Sequence, residues 1–156
     1  MTYALAFTFH LLAVVIWVGG MFFAHFMLRP SAVEKLEPPQ RLTLWVAVFG
    51  RFFLWVWIAV ITIFLSGYWM LYDVFGGLIG FKIHYIQTMH IIAVAMAAIY
   101  SYIFFIPYQQ LKTAVANKEF PAGGVLMNKI RILVTTNLVL GLITIMVASG
   151  GKYINI

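Results

Sequence analysis

Four unbroken apolar stretches, each long enough to cross a lipid bilayer as a helix, constrain this 156-residue chain more than any other feature. The hydrocarbon core of a bilayer is about 30 Å thick, which takes about 20 helical residues. The first stretch runs from Ala4 to Leu28 and stops at Arg29-Pro30. The second runs from Phe52 to Tyr72, with an amphipathic lead-in from Leu42, and stops at Asp73. The third runs from Ile83 to Ile106 and is closed by Pro107; the fourth runs from Ile132 to Ser149 and ends at Gly150-Gly151. Lipid offers backbone groups no partners, so only helices and closed barrels span it, and these runs lack the alternation of barrel strands. The expected fold is an all-α integral membrane bundle of four antiparallel transmembrane helices in up-down-up-down order. Its helices should lie near 4–28, 44–72, 83–106 and 130–149, in a single domain covering 1–156.

Composition excludes an ordinary soluble domain. Hydrophobic residues make up 64% and charged residues 9%, where a soluble domain carries about 25% charged. The net charge of +6 does not mark a nucleic-acid partner, because the basic residues sit in short segments between the apolar runs. The first stretch lacks a preceding basic residue and exceeds the length of a signal-peptide core, so it reads as a retained helix.

The same basic residues orient the bundle. Arg29, Lys35, Arg41, Arg51, Lys112, Lys118, Lys129 and Arg131 flank the first and third connections, whereas Lys82 and Lys152 lie on the opposite side. This asymmetry places the two larger loops in the cytoplasm and both termini on the outer, periplasmic side of a bacterial inner membrane. Zero cysteines exclude disulfides, iron–sulfur clusters, thiolate metal sites and covalently attached haem. Any metal must then be held by His, Met or oxygen.

Ionisable residues inside a membrane are costly, which makes the four histidines functional candidates. His84 beside Lys82 and His25 near Arg29 stand close enough to helix ends to reach the interface. His10 and His90 lie deeper. At 1.5 Å per residue, His10 sits about 9 Å and His90 about 7 Å outward of the midpoints of two parallel helices. His84, at about 16 Å, matches His10 poorly and is the alternative ligand. Two axial ligands on one haem iron need nearly equal heights, which His10 and His90 satisfy. Ala13 and Val14 after His10, and Ala93 and Val94 after His90, leave room for a flat macrocycle. A second haem lacks a partner: His25, about 22 Å from His10 along the helix, has no histidine opposite it. One haem b per chain is the economical expectation.

The cytoplasmic half carries Arg51, Arg131, Asn137, His25 and Arg29. These read either as snorkelling interface residues or as a basic pocket for a quinone or the carboxylates of a porphyrin. An amide at Asn137 needs an interhelical partner. The cluster of Phe49, Phe52, Phe53, Trp55 and Trp57 suits packing, lipid contact or the flank of a porphyrin. Scattered methionines, with Met21 and His25 one turn apart, admit copper as the alternative to haem.

The helix 1 segment F-H-L-L-A-V-V-I-W-V-G-G-M-F-F from Phe9 to Phe23, followed by Arg29-Pro30, resembles the opening of copper resistance protein D (CopD) membrane proteins. It is also similar to the first helix of HemJ-type protoporphyrinogen oxidases. R-F-F-L-W-V-W from Arg51, Ser66-Gly67, Met89-His90 and I-R-I-L-V-T-T-N-L-V-L-G from Ile130 also resemble small CopD proteins. The resemblance implies haem b with His10 as a ligand. The expected function is a b-type haem protein moving electrons in the membrane, with quinone as a partner. The alternatives are a haem-dependent oxidoreductase of the HemJ type acting on a porphyrinogen, or a copper transport or resistance protein. A homodimer or a larger membrane complex is compatible with either.

Overall fold

The computed structural model describes Thr2–Ile154, and side chains as far as Gly151; Lys152, counted above on the outer edge, has its side chain outside that range. Among the described residues every regular element is helical, and four rods are long and apolar enough to cross a membrane. The first rod comprises α1 (Thr2–Val14), a π-helical turn (Val15–Gly19), α2 (Gly20–Phe23), a second π-helical turn (Ala24–Leu28) and α3 (Arg29–Lys35). The second rod is α4 (Pro38–Asp73); the third is α5 (His84–Phe105) continued by α6 (Pro107–Ala116); the fourth is α7 (Phe120–Ile154). Four antiparallel rods bring both termini to one end. That end is the outer end in the orientation that the charge count predicts.

The rods overrun the expected boundaries, and each overrun has a local cause. Arg29-Pro30 does not end the first helix. Proline lacks the N–H and crowds the carbonyl four residues back, and the widened turn over Ala24–Leu28 relieves that conflict just before it. The chain then turns in two residues. Glu37 opens α4 with Pro38 in the first turn, and its backbone N–H donates to the Gln40 side chain at 3.3 Å. Pro107 likewise starts α6 after a kink at Ile106. The α6 end closes with Lys118 at φ 61, where Glu119 N–H reaches the Ala114 carbonyl at 2.8 Å and Lys118 N–H the Val115 carbonyl at 3.1 Å. This is a Schellman stop with lysine in the place usually taken by glycine. Hydropathy marks the part of a helix that suits lipid, whereas these polar turns are good helix formers that extend past it.

The closest pairings are α1 with α4 and α5–α6 with α7. Small residues set the approach between pairs. A Cβ at Gly141 would stand 2.8 Å from Val18 Cγ2 and 3.2 Å from Met96 Cε, so the first, third and fourth rods meet there without space for a side chain. The core fills the half of the bundle away from the termini with aromatics. Trp45, Phe49 and Phe53 stack along α4 at centroid separations of 5.0 and 5.1 Å, and Tyr108 meets Phe53 edge-on at 5.0 Å. Tyr100 donates its hydroxyl to the Phe53 carbonyl at 2.7 Å, tying the third rod to the second. The α4 aromatic cluster is therefore largely packing, with Trp55 facing outward.

The core has an outer limit at Ala13, Ile63, Met96 and Gly141. Outward of that layer nothing described on α1 or α5 is buried. Only Ser66 and Leu71 of α4 and Gly151 of α7 are buried on the two remaining transmembrane segments there. Half of the bundle is closed by aromatics; the other half, which carries His10 and His90, is lightly filled.

Candidate functional site

His10 lies on the α1 stripe that continues into buried Ala13 and Trp17, which turns its ring toward α4. There its Nδ1 stands 2.9 Å from Ser66 Oγ. Serine in a helix interior bonds back to its own helix, and Ser66 Oγ donates to the Thr62 carbonyl at 2.5 Å. A hydroxyl has one proton. With that proton directed at Thr62, Ser66 Oγ accepts from His10, so Nδ1 carries the hydrogen and Nε2 keeps its lone pair. Nε2 has no hydrogen-bond partner among the described residues. Metal-ligating histidines are usually held in this way, with one nitrogen fixed by a hydrogen bond and the other presented.

His90 approaches α4 from the other side. Its ring lies in a cage of Phe81, Tyr68 and Phe64, with centroids at 5.0, 5.6 and 6.3 Å. The α4 contacts of His10 are Ser66 and Gly67, and those of His90 are Phe64 and Tyr68. Both sets fall within residues 64–68, so the two rings reach the same stretch of α4. At about 100° per residue the two contact faces are roughly 130° apart around the helix. Gly67 lies between them, and a Cβ there would meet His10 Cε1 at an ordinary 3.5 Å. A shallow groove of about 490 Å³ between α1 and α4, lined by Thr2, Ala6, Phe9 and Trp69 among others, reaches Ser66 from the lipid side.

His84 stands exposed at the start of α5, remote from this pair in height. The cytoplasmic candidates divide. His25 Nδ1 lies 3.2 Å from Thr135 Oγ1, and Thr135 Oγ1 donates to the Arg131 carbonyl at 2.9 Å. The Arg131 guanidinium donates to Asn128 Oδ1. Asn137, two residues beyond Thr135, faces the third rod instead. Its Nδ2 donates to the Met96 carbonyl at 3.0 Å, and its buried Oδ1 has no partner. Arg51 is exposed and makes no hydrogen bond among the described residues. His25 is thus tied through Thr135 to the Arg131 main chain only, while the Arg131 guanidinium, Asn137 and Arg51 are engaged or lie elsewhere.

Among the described residues no three His, Cys, Asp or Glu side chains converge into a metal-ion cage. Sequence reasoning did not single out Ser66 as a partner of His10 or Thr135 as a partner of His25. A hydroxyl in the middle of an apolar span was the available signal for each.

A family model described as copper resistance protein D matches residues 46–150. The match begins inside α4, so it covers His84, His90, Arg51, Arg131 and Asn137 and stops short of His10 and His25. No curated protein and no solved structure matches the chain. With well over half of its length matched, this multi-pass membrane chain belongs to the copper resistance protein D family.

Proposed function

We propose that the protein is an inner-membrane redox carrier for one b-type haem in its outer half, which His10 through Nε2 and His90 would hold. The observation that supports this reading is the His10–Ser66–Thr62 chain: with the Ser66 proton on the Thr62 carbonyl, His10 Nδ1 donates to Ser66 and Nε2 is free for a metal. Three further features support it. The two histidines reach the same stretch of α4, Gly67 separates them on its inward face, and the surrounding half of the bundle is lightly filled.

Haem supplies one-electron chemistry when bound. The chain's own residues do the rest. Ser66 orients the His10 ring, the aromatic cage fixes the His90 ring, and apolar α1 and α5 surfaces keep water away. The test uses absorbance spectra of wild type, His10→Ala and His90→Ala purified in detergent. Loss of the haem spectrum in the first and loss of the low-spin form in the second are expected. Two unchanged spectra would overturn the ligand assignment.

The family match favours a second reading, copper handling in transport or resistance. His10 Nε2 would then be a ligand to Cu(I), completed by methionine sulfur. Metal content separates the two: iron with porphyrin for the first, copper without porphyrin for the second.

A further inference from the structure

The wiring that presents His10 occurs a second time in the molecule. His25 Nδ1 faces Thr135 Oγ1 at 3.2 Å, and the single Thr135 proton is directed at the Arg131 carbonyl at 2.9 Å. With the proton there, Thr135 accepts from His25, an arrangement that takes the Nδ1–H tautomer and gives Nε2 an open lone pair. Among the described residues Nε2 of His25 has no partner. In both cases a helix-interior hydroxyl on another rod holds a histidine of the first rod. The two histidines are fifteen residues apart, so the second device lies about 22 Å toward the cytoplasm.

Its surroundings differ from those of His10. No second histidine lies opposite, which removes the bis-imidazole arrangement. Arg131 lies one turn below Thr135 on α7, with its guanidinium on Asn128 Oδ1. Phe26 packs edge-on against the His25 ring at 4.8 Å and Phe22 lies tilted against Phe26 at 4.8 Å, both exposed where lipid would lie. A site entered from lipid, offering one hydrogen-bond acceptor, one cationic donor and aromatic flanks, suits a flat apolar ring with a hydroxyl on one edge. A lipid phosphate has no proton for Nε2 at neutral pH, and a purely apolar ring uses neither polar group.

We infer that His25 Nε2 is the acceptor of a ring-hydroxyl hydrogen bond, in a cytoplasmic-side binding site for a membrane-soluble hydroquinone. Thr135 is its positioning residue, and the Arg131 guanidinium, moved off Asn128, is the donor to an oxygen of the same ligand. The inference rests on the redox reading for its biological purpose; the site itself rests on the His25–Thr135 geometry alone.

The experiment compares two probes on the intact wild-type protein in detergent, read by quenching of tryptophan fluorescence. The probes are a decyl-substituted benzohydroquinone and its dimethyl ether, which keeps the shape and lacks the proton. Saturable hydroquinone binding, at least tenfold tighter than the ether, is expected. His25→Ala should remove that difference and Thr135→Val should reduce it. Equal binding of the two probes would overturn the proposal without recourse to any variant, and so would a preference that survives in folded His25→Ala. Displacement of the hydroquinone by phosphatidylglycerol vesicles, but not by phosphatidylcholine vesicles, would also overturn it in favour of an anionic headgroup site. Failure of the haem reading registers separately, as protein without a haem spectrum that still prefers the hydroquinone.

Discussion

Replacing Ser66 with alanine isolates the geometric step on which the outer site depends. Ser66 is 8% exposed and offers His10 Nδ1 its acceptor at 2.9 Å. Alanine leaves a donor facing apolar surroundings, a loss worth about 1–3 kcal/mol in the orientation that presents Nε2. Removing an outer-shell partner of a metal-ligating histidine weakens metal affinity by about 10–100-fold. At about 1.4 kcal/mol per decade this is about 1.4–2.8 kcal/mol, so the two ranges coincide. The helix should survive, because the Ser66 bond to Thr62 is internal to α4 and alanine is the better helix former. Haem titrated into apo-protein and followed by absorbance gives the affinity directly. Ser66→Ala should bind about 10–100-fold more weakly than wild type, and Ser66→Thr, which keeps the hydroxyl, should stay closer to wild type. Folded Ser66→Ala with wild-type affinity would refute the argument that this hydroxyl sets the ligand.

Three other outcomes follow from the same geometry. Gly67→Ala should be tolerated, since the added Cβ makes only an ordinary 3.5 Å contact with His10, whereas Gly67→Phe should fill the space between the histidines and lower haem occupancy, measured as haem per folded chain. Gly141→Ala should destabilise the bundle by about 1–3 kcal/mol, seen as a lower Tm in detergent, because Val18 Cγ2 stands 2.8 Å from the new Cβ and is stiff in a helix. A chain without cysteine allows clean topology mapping: Leu78→Cys should react with a membrane-impermeant maleimide in intact cells, and Glu119→Cys only after the cells are opened. The reverse pattern would invert the charge-based orientation.

The four spans were legible from hydropathy because lipid imposes a length and a composition on each. Their ends were not, since Pro30 and Pro107 read as stops although a widened turn and a kink let helix continue past each. That His10 and His90 reach the same stretch of the bundle was legible from counting residues along parallel helices. Which way each ring points was not, because that depends on partners in other rods: Ser66 for His10, and an aromatic cage including Phe81 of the outer connection for His90. The cytoplasmic residues looked like one set in the sequence. Helical phase divides them, since Thr135 and Asn137 are two residues apart and face different rods.

The most direct test of the account is one absorbance measurement, reduced minus oxidised, on purified protein with iron and copper determined on the same sample. The account predicts a reducible low-spin b-type spectrum and about one iron per chain, both lost in His10→Ala. Stoichiometric copper with no porphyrin spectrum, or a haem spectrum unchanged in His10→Ala, would contradict it.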